Sequence, residues 1–258
     1  MRITILGSGS GGNVLLFESS KTSILVDAGL SHRQLVQRFA AIGREPPNRV
    51  SALIVTHGHA DHAAHASTFA ARLGCSVRAT DATIRTLHLR PSVRTEAFAI
   101  GRPFKVGDIT IHSSKIPHDA PQVALVLETK LTAVGLVTDL GHVPKGLMPL
   151  LSDCETLLIE SNHDPEMLAK GPYPYALKRR IGGSLGHLSN AQAGDLLACL
   201  AHAPIQVVLM HLSETNNSPG LARSSAEAAL GHRGTRVLVA HQHRPLELGA
   251  LRDAQRAK

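Results

Sequence analysis

A predicted strand that ends in four metal-binding side chains is the strongest constraint on the fold. Ala52-Leu53-Ile54-Val55 predicts a buried strand, and His57, His59, Asp61 and His62 follow it within seven residues. Side chains two apart in an extended chain point to the same side, so His57 and His59 form one pair. Asp61 and His62 open the next predicted helix and form a second pair. Helix capping would explain Asp61 but none of the histidines, so the segment predicts two neighbouring metal ions.

This segment resembles a known signature. Thr56-His57-Gly58-His59-Ala60-Asp61-His62 matches the H-x-H-x-D-H motif of the metallo-β-lactamase superfamily, which places further ligands after later strands. Three residues that each follow a predicted strand fit this series: His118, Asp139 and His211. The resemblance implies the complete ligand set: His57, His59 and His118 for the first metal, Asp61, His62 and His211 for the second, and Asp139 for both.

The second half of the chain resembles the WalJ-like (YycJ) exonuclease branch of that superfamily. The resemblance lies in Ile159-Glu160-Ser161-Asn162-His163-Asp164, in the stretch from Tyr173 to Ile181, and in Gly186-His187-Leu188-Ser189-Asn190. The last segment is also similar to the tRNase Z element that places a catalytic histidine at the start of a helix. Because no long insertion is visible, the additional domain of RNase J-like nucleases and the arm of many tRNase Z enzymes are not expected.

The predicted catalytic residues are Asp61, Glu160 and His187. His187 stands at a predicted helix N-terminus, where free backbone N–H groups favour anions, so we expect it to bind phosphate and protonate the leaving oxygen. Glu160 is the expected hydrogen-bond partner of His187. Ser189 and Asn190 are expected to contact substrate at the same helix start.

Basic and aromatic residues before this helix are candidates for further substrate contacts. Lys178, Arg179 and Arg180 are expected to follow a nucleic-acid backbone, although a solvated charged turn explains the same pattern. Tyr173 and Tyr175 either stack on bases or pack against the neighbouring prolines.

The ligand types indicate the metal and the reaction. Imidazole and carboxylate groups without a thiolate favour two zinc ions, with manganese or iron as alternatives. Two ions that share Asp139 would hold a hydroxide between them as the nucleophile. The predicted function is metal-dependent phosphodiester hydrolysis by a DNA exonuclease, with 5′–3′ as the expected polarity. The alternatives are a hydrolase of β-lactams, lactones, thioesters or cyclic phosphodiesters, and a binding or regulatory protein without turnover.

Charge and hydropathy indicate the expected partners and location. The 27 Lys and Arg exceed the 20 Asp and Glu, giving a net charge of +7 that favours a polyanion such as DNA. No apolar run reaches the roughly 20 residues that span a bilayer. We therefore expect no membrane partner and a cytoplasmic location.

Short Val, Ile and Leu runs alternate with helical patterns along the chain, which predicts an α/β protein with one domain over residues 1–258. The expected fold class is the αββα sandwich of the metallo-β-lactamases, two mixed β-sheets flanked by helices. Strands are predicted at residues 2–6, 14–18, 23–26, 52–56, 76–79, 104–106, 109–113, 123–129, 133–138, 156–160, 207–210 and 236–240. Helices are predicted at residues 31–42, 61–73, 189–202 and 219–230.

Overall fold

Two mixed β-sheets flanked by helices contain the apolar runs of the sequence. A computed structural model describes residues 1–249. In chain order its strands are β1 (Arg2–Gly7), β2 (Val14–Glu18), β3 (Ser23–Val26), β4 (Ala52–Ile54), β5 (Val77–Ala79), β6 (Thr95–Ala97), β7 (Phe104–Val106), β8 (Ile109–Ile116), β9 (Gln122–Glu128), β10 (Ala133–Val137), β11 (Thr156–Glu160), β12 (Gln206–Met210), β13 (Arg236–Val239) and β14 (Leu246–Leu248). Its helices are α1 (His32–Ala40), α2 (Ala60–Ala63), α3 (Ala66–Leu73), α4 (Asp81–Ile84), α5 (Leu147–Leu151), α6 (Pro165–Lys170), α7 (Tyr175–Ile181), α8 (Asn190–Ala198) and α9 (Pro219–Leu230).

Each sheet has seven strands within residues 1–249. The first has the order β14-β1-β2-β3-β4-β5-β6, and the second the order β13-β12-β11-β10-β9-β8-β7. In the first sheet β3 is antiparallel to β2 and parallel to β4. In the second sheet β10, β11, β12 and β13 are parallel to one another. Because parallel strands end at the same sheet edge, residues that follow β3 and β4 are brought together, as are those that follow β10, β11 and β12.

The chain divides into two compact units. Unit 1 comprises Met1–His112, Glu128–Thr132 and the described residues from His241 onward, and unit 2 comprises Ser113–Leu127 and Ala133–Ala240. Each unit has its own apolar core, which includes Phe39 and Phe69 in unit 1 and Leu157 and Leu209 in unit 2. The single domain over residues 1–258 stays a prediction.

The predicted strands are confirmed, but one predicted helix is two shorter helices in the structure. The helix expected at residues 61–73 is interrupted at His65, which separates α2 from α3. The backbone of Ala28, just after β3, causes the break: Ala28 N donates to His62 O at 2.6 Å, and His65 N donates to Ala28 O at 2.9 Å. These bonds tie the chain around His62 to the end of β3.

Several short elements carry weaker sequence signals and were not predicted. They are β6, β14, α4, α5, α6 and α7. Strand β14 alternates Leu-Glu-Leu and pairs with β1, and α6 begins with Asp164 as its N-cap and Pro165 in its first turn. The predicted helix at 189–202 ends earlier, at Ala198. Among residues 1–249, no helix has the length and apolar content needed to cross a lipid bilayer.

Candidate functional site

The predicted metal ligands of unit 1 are His57, His59, Asp61 and His62, on the loop after β4 and on α2. The ring centroids of His57 and His59 lie 4.7 Å apart, and those of His57 and His62 lie 4.2 Å apart. His57 and His62 are buried, whereas His59 and Asp61 are half-buried. The segment therefore concentrates three imidazoles and a carboxylate within a small volume, as the sequence predicted.

Asp27 fixes the orientation of His62. Its Oδ2 accepts a hydrogen bond from His62 Nδ1 at 2.7 Å, and both side chains are fully buried. Thr56 donates to Asp27 Oδ1 from its backbone N at 2.8 Å and from its hydroxyl at 3.0 Å. A carboxylate at Nδ1 keeps the proton there and leaves Nε2 unprotonated, which is the arrangement usual for metal-binding histidines.

Asn13 joins the glycine-rich loop before β2 to the same cluster. Its side-chain nitrogen lies 2.9 Å from His62 Nε2, and it donates to Asp61 Oδ2 at 3.4 Å. The backbone N of Asn13 donates to Asp61 O at 2.7 Å, and Gly29 N donates to Asn13 O at 3.0 Å. Three chain segments therefore hold Asp61 and His62 in place.

A group of titratable side chains in unit 2 consists of Asp139, Glu160, His187 and His211, whose potential ligand atoms all lie within 4.8 Å of one another. Asp139 Oδ1 is 3.5 Å from His211 Nε2 and 3.6 Å from His187 Nδ1. The rings of His187 and His211 stack with centroids 5.3 Å apart. Only His187 is appreciably accessible, with 20% of its side chain exposed.

Glu160 is fully buried and holds its two neighbouring histidines. Its Oε1 accepts from His187 Nδ1 at 2.7 Å, as expected from the sequence, and lies 3.3 Å from His211 Nδ1. Its Oε2 accepts from the backbone N of Leu140 and of Leu188. Burial opposes ionisation, but the two histidines lower the pKa of the Glu160 carboxyl to about 2. Burial also opposes a charged His187, yet the Glu160 carboxylate raises the pKa of His187 above its ordinary value.

His118, in the same unit, lies beside His187. Their ring centroids are 5.5 Å apart, His118 Nδ1 donates to Gly186 O at 3.2 Å, and His118 Nε2 lies 3.2 Å from Asp119 Oδ1. Asp119, the next residue, accepts from Arg180 Nε at 2.8 Å. The segment after β8 is therefore tied to both α7 and the loop that carries His187.

Backbone strain is concentrated at these strand ends. Among residues 1–249, three non-glycine residues have a positive φ: Asp27 at 62°, Asp139 at 56° and His211 at 53°. Each follows the end of a buried strand, β3, β10 or β12. A left-handed conformation costs an L-residue roughly 1–2 kcal/mol and persists where the surroundings enforce it, often at functional sites.

Two of the predicted substrate-binding residues, Ser189 and Asn190, lie at the start of α8 and are engaged inside the protein. Ser189 is the N-cap of α8 and accepts from Gln192 N, and Asn190 bonds Ser161 and Asn217. Both are buried, so the structure gives them an internal role, and their contact with substrate stays a prediction.

The basic run on α7 is exposed but partly engaged. Lys178 Nζ donates to Ala169 O at 2.7 Å, and Arg180 pairs with Asp119 at 2.8 Å. Arg179 lies over the ring of Tyr175, with its guanidinium carbon 5.9 Å from the ring centroid. The prediction that Tyr175 packs against the neighbouring prolines is wrong, because 76% of this residue is exposed.

Residues that hold the ligands were not selected from the sequence. They are Asn13, Asp27 and Asn162, the last of which donates to His211 O at 2.9 Å. Asp27 had one readable signal, an aspartate directly after a predicted buried strand. Asn162 had only its position in the segment Ile159-Glu160-Ser161-Asn162-His163-Asp164, and Asn13 had no signal.

The donor chemistry fits divalent metal ions. Each unit presents buried or half-buried imidazole nitrogens and carboxylate oxygens, which are ordinary ligands of zinc and manganese. The Nδ1 atoms of His62 and His118 are hydrogen-bonded to oxygen, so the opposite ring nitrogen, Nε2, is the atom each could offer to a metal. The clusters are therefore able to bind metal, and the ligand set suits a dinuclear centre.

Comparison with known proteins identifies the class. A family model described as a β-lactamase superfamily domain matches residues 22–212. The chain belongs to this superfamily, and its two mixed sheets flanked by helices are the metallo-β-lactamase fold.

Individual relatives narrow this class. The chain is 34% identical over 244 residues to exodeoxyribonuclease WalJ of Streptococcus pneumoniae serotype 2, covering 89% of this chain and 90% of the relative. It is 32% identical over 240 residues to exodeoxyribonuclease YycJ of Bacillus anthracis, covering 91% and 90%. Among solved structures, the metallo-β-lactamase fold protein YhfI of Bacillus subtilis matches with a TM-score of 0.72 and 22% identity, covering 96% and 98%.

Proposed function

We propose that the protein is a metal-dependent DNA exonuclease. Its main support is the 34% identity to an exodeoxyribonuclease over 89% of the chain. The metal-binding clusters and the net charge of +7 are consistent with an enzyme that acts on a polyanion. The cytoplasmic location and the 5′–3′ polarity expected from the sequence stay predictions.

The proposed centre takes two divalent ions, with zinc as the first choice and manganese or iron as alternatives. His57, His59 and His118 are assigned to one ion, Asp61, His62 and His211 to the other, and Asp139 to both. When bound, two such ions neutralise phosphate charge and lower the pKa of a water molecule to near neutrality. Asp27 supports this role, because its carboxylate holds the His62 proton at Nδ1 and so keeps Nε2 unprotonated.

His187 is proposed to donate the proton to the leaving oxygen. Glu160 accepts from Nδ1, so an imidazolium at His187 would keep its Nε2 proton for transfer. The exposed fraction of His187 and its raised pKa favour this role over that of a buried ligand. Since Glu160 is fully buried, it acts as a positioning residue for His187 rather than by touching substrate.

End-labelled single- and double-stranded DNA, incubated with zinc or manganese, provides the direct test. Products one nucleotide long would establish exonuclease action, and the labelled end would give the polarity. His57→Ala and Asp139→Ala should each lose bound metal and turnover, measured by elemental analysis and rate. A fully loaded wild-type chain with one ion, or an Asp139→Ala protein with unchanged metal and rate, would exclude the dinuclear assignment.

Small-molecule hydrolysis is the competing outcome of this assay. The nuclease function is wrong if metal-replete protein leaves DNA and RNA intact at low salt but opens a β-lactam or lactone with kcat/KM above roughly 10⁴ M⁻¹s⁻¹.

A further inference from the structure

Helix α7 presents an exposed aromatic and basic face in unit 2. None of its seven residues is buried, and Leu177 and Ile181 are half-buried. Two polar contacts help to hold the helix: Lys178 Nζ donates to Ala169 O, and Arg180 pairs with Asp119. Its exposed surface carries Tyr175 and Arg179.

Tyr175 is oriented for stacking. It is 76% exposed although it is a large ring, and Arg179, one turn further on, covers one ring face at 5.9 Å. The other face is left for a planar ligand. Pro172 and Pro174 precede the helix and restrict its backbone, so ordering this segment on binding costs little entropy.

The position of Tyr175 is coupled to His187. Ile181 O, at the end of α7, accepts from His187 N at 2.8 Å. A Cβ at Gly186 would lie 2.2 Å from the carbonyl oxygens of Arg180 and Ile181, so this loop packs tightly against the helix end. Tyr175 and Ile181 are six residues apart, about 9 Å along the helix axis. A base on Tyr175 therefore belongs to a nucleotide close to a phosphate at His187.

We propose that Tyr175, backed by Arg179, is a stacking site for an unpaired nucleobase at the end of the DNA strand that is hydrolysed. This inference rests on the proposed nuclease function and specifies how that site holds its substrate. An aromatic ring with adjacent positive charge suits a base and its phosphate, because stacking is tolerant of sequence and the cation follows the backbone. Paired bases inside a duplex cannot reach such a ring.

Kinetics on base-bearing and abasic strands provide the first test. Tyr175→Ala should raise KM for single-stranded oligonucleotides by about 5- to 100-fold, the range for loss of one base–aromatic stack, with little change in metal content. Tyr175→Phe should retain the wild-type KM because it keeps the ring. On an abasic strand of the same length and charge, wild type and Tyr175→Ala should have equal KM. A wild-type KM for Tyr175→Ala on base-bearing DNA would overturn the proposal.

Intrinsic fluorescence provides a test without turnover. The chain has no tryptophan and two tyrosines, so Tyr173→Phe leaves Tyr175 as its only tyrosine. A hydrolysis-resistant phosphorothioate oligothymidylate should quench this emission, and the corresponding abasic oligomer should not. Equal quenching by both oligomers, or by neither, would refute stacking. Because this readout does not depend on hydrolysis, stacking without DNA cleavage would refute the nuclease function alone, and cleavage without stacking would refute only this proposal.

Discussion

Asp27 shows how one carboxylate organises a proposed metal ligand, His62. It is buried, it has a left-handed φ of 62°, and it joins the backbone and hydroxyl of Thr56 to Nδ1 of His62. Three hydrogen bonds hold its strained backbone conformation in place. Its charge, rather than its shape alone, selects the His62 tautomer in which Nε2 is unprotonated.

Removal of this charge should weaken metal binding. Asp27→Asn keeps a side chain that tolerates a positive φ and is still able to accept from Thr56, but it loses the carboxylate at His62. We expect metal affinity to fall by about 10- to 100-fold, measured by competition with a chromogenic chelator. Asp153→Asn, an exposed aspartate of unit 2, is the matched control. An unchanged affinity would show that Asp27 does not tune His62.

His187 should separate catalysis from metal binding. His187→Ala is expected to keep its bound metal but to hydrolyse DNA about 10²- to 10⁴-fold more slowly, the loss usual for general acid catalysis. An ester with an activated leaving group should be affected less, because it needs less protonation. If His187→Ala loses metal, His187 is a ligand; if the rate is unchanged, it is not the proton donor.

At the scale of elements, the chain just after β3 determines how closely the segment of Asn13 and the start of α2 approach each other. A Cβ at Gly29 would lie 1.8 Å from Asp61 O and 2.7 Å from Asn13 N, both of them backbone atoms that cannot rotate away. This glycine is required because the chain after β3 passes directly against the start of α2. Bonds from Ala28 to both His62 and His65 reinforce the same contact.

Gly29→Ala should therefore destabilise unit 1. We expect the free energy of unfolding to fall by about 3 kcal/mol, since backbone segments have to separate to admit the methyl group. Gly146→Ala is the control, because its Cβ would meet no atom of residues 1–249 within 4 Å, and it should change stability by less than about 0.5 kcal/mol. Urea denaturation measures both. Equal effects would show that the close approach at Gly29 relaxes without cost.

The elements also show what the sequence can and cannot predict. Strands β10, β11 and β12 are buried apolar runs, so local composition identifies them and places Asp139 and His211 after their ends. The break between α2 and α3 depends on Ala28, more than 30 residues away, and the local helical pattern gives no sign of it. The contacts of Asp27 with Thr56 and His62 likewise form only once β3 lies parallel to β4. Motif residues were therefore predictable, while the residues that hold them required the tertiary structure.

For the whole molecule, net charge and its placement bear on how substrate is attracted. The excess of seven positive charges favours DNA at long range, but exposed charges act weakly beyond the Debye length of about 8 Å at physiological salt. Local contacts must therefore supply the phosphate binding. On α7, the charge of Arg180 is neutralised by Asp119. The contact described for the Lys178 ammonium is with a backbone carbonyl, which carries no full charge.

Salt dependence should reveal these contacts. Each phosphate neutralised by Lys or Arg releases condensed counterions, so the logarithm of affinity for single-stranded DNA should fall with that of salt concentration by about 0.7 per contact. Replacing Lys178 and Arg179 with alanine should flatten this slope by roughly 1.4 and raise KM at low salt, while the bound metal remains. Arg72→Ala, at an exposed arginine on α3, serves as the control for the loss of one positive charge. If the double variant changes the slope by no more than twice the Arg72→Ala change, the +7 charge acts only through the overall electrostatic field of the protein, and α7 is not a phosphate-binding element. A flat salt dependence in the wild type would argue against a DNA substrate altogether, because a small-molecule hydrolase releases no condensed counterions.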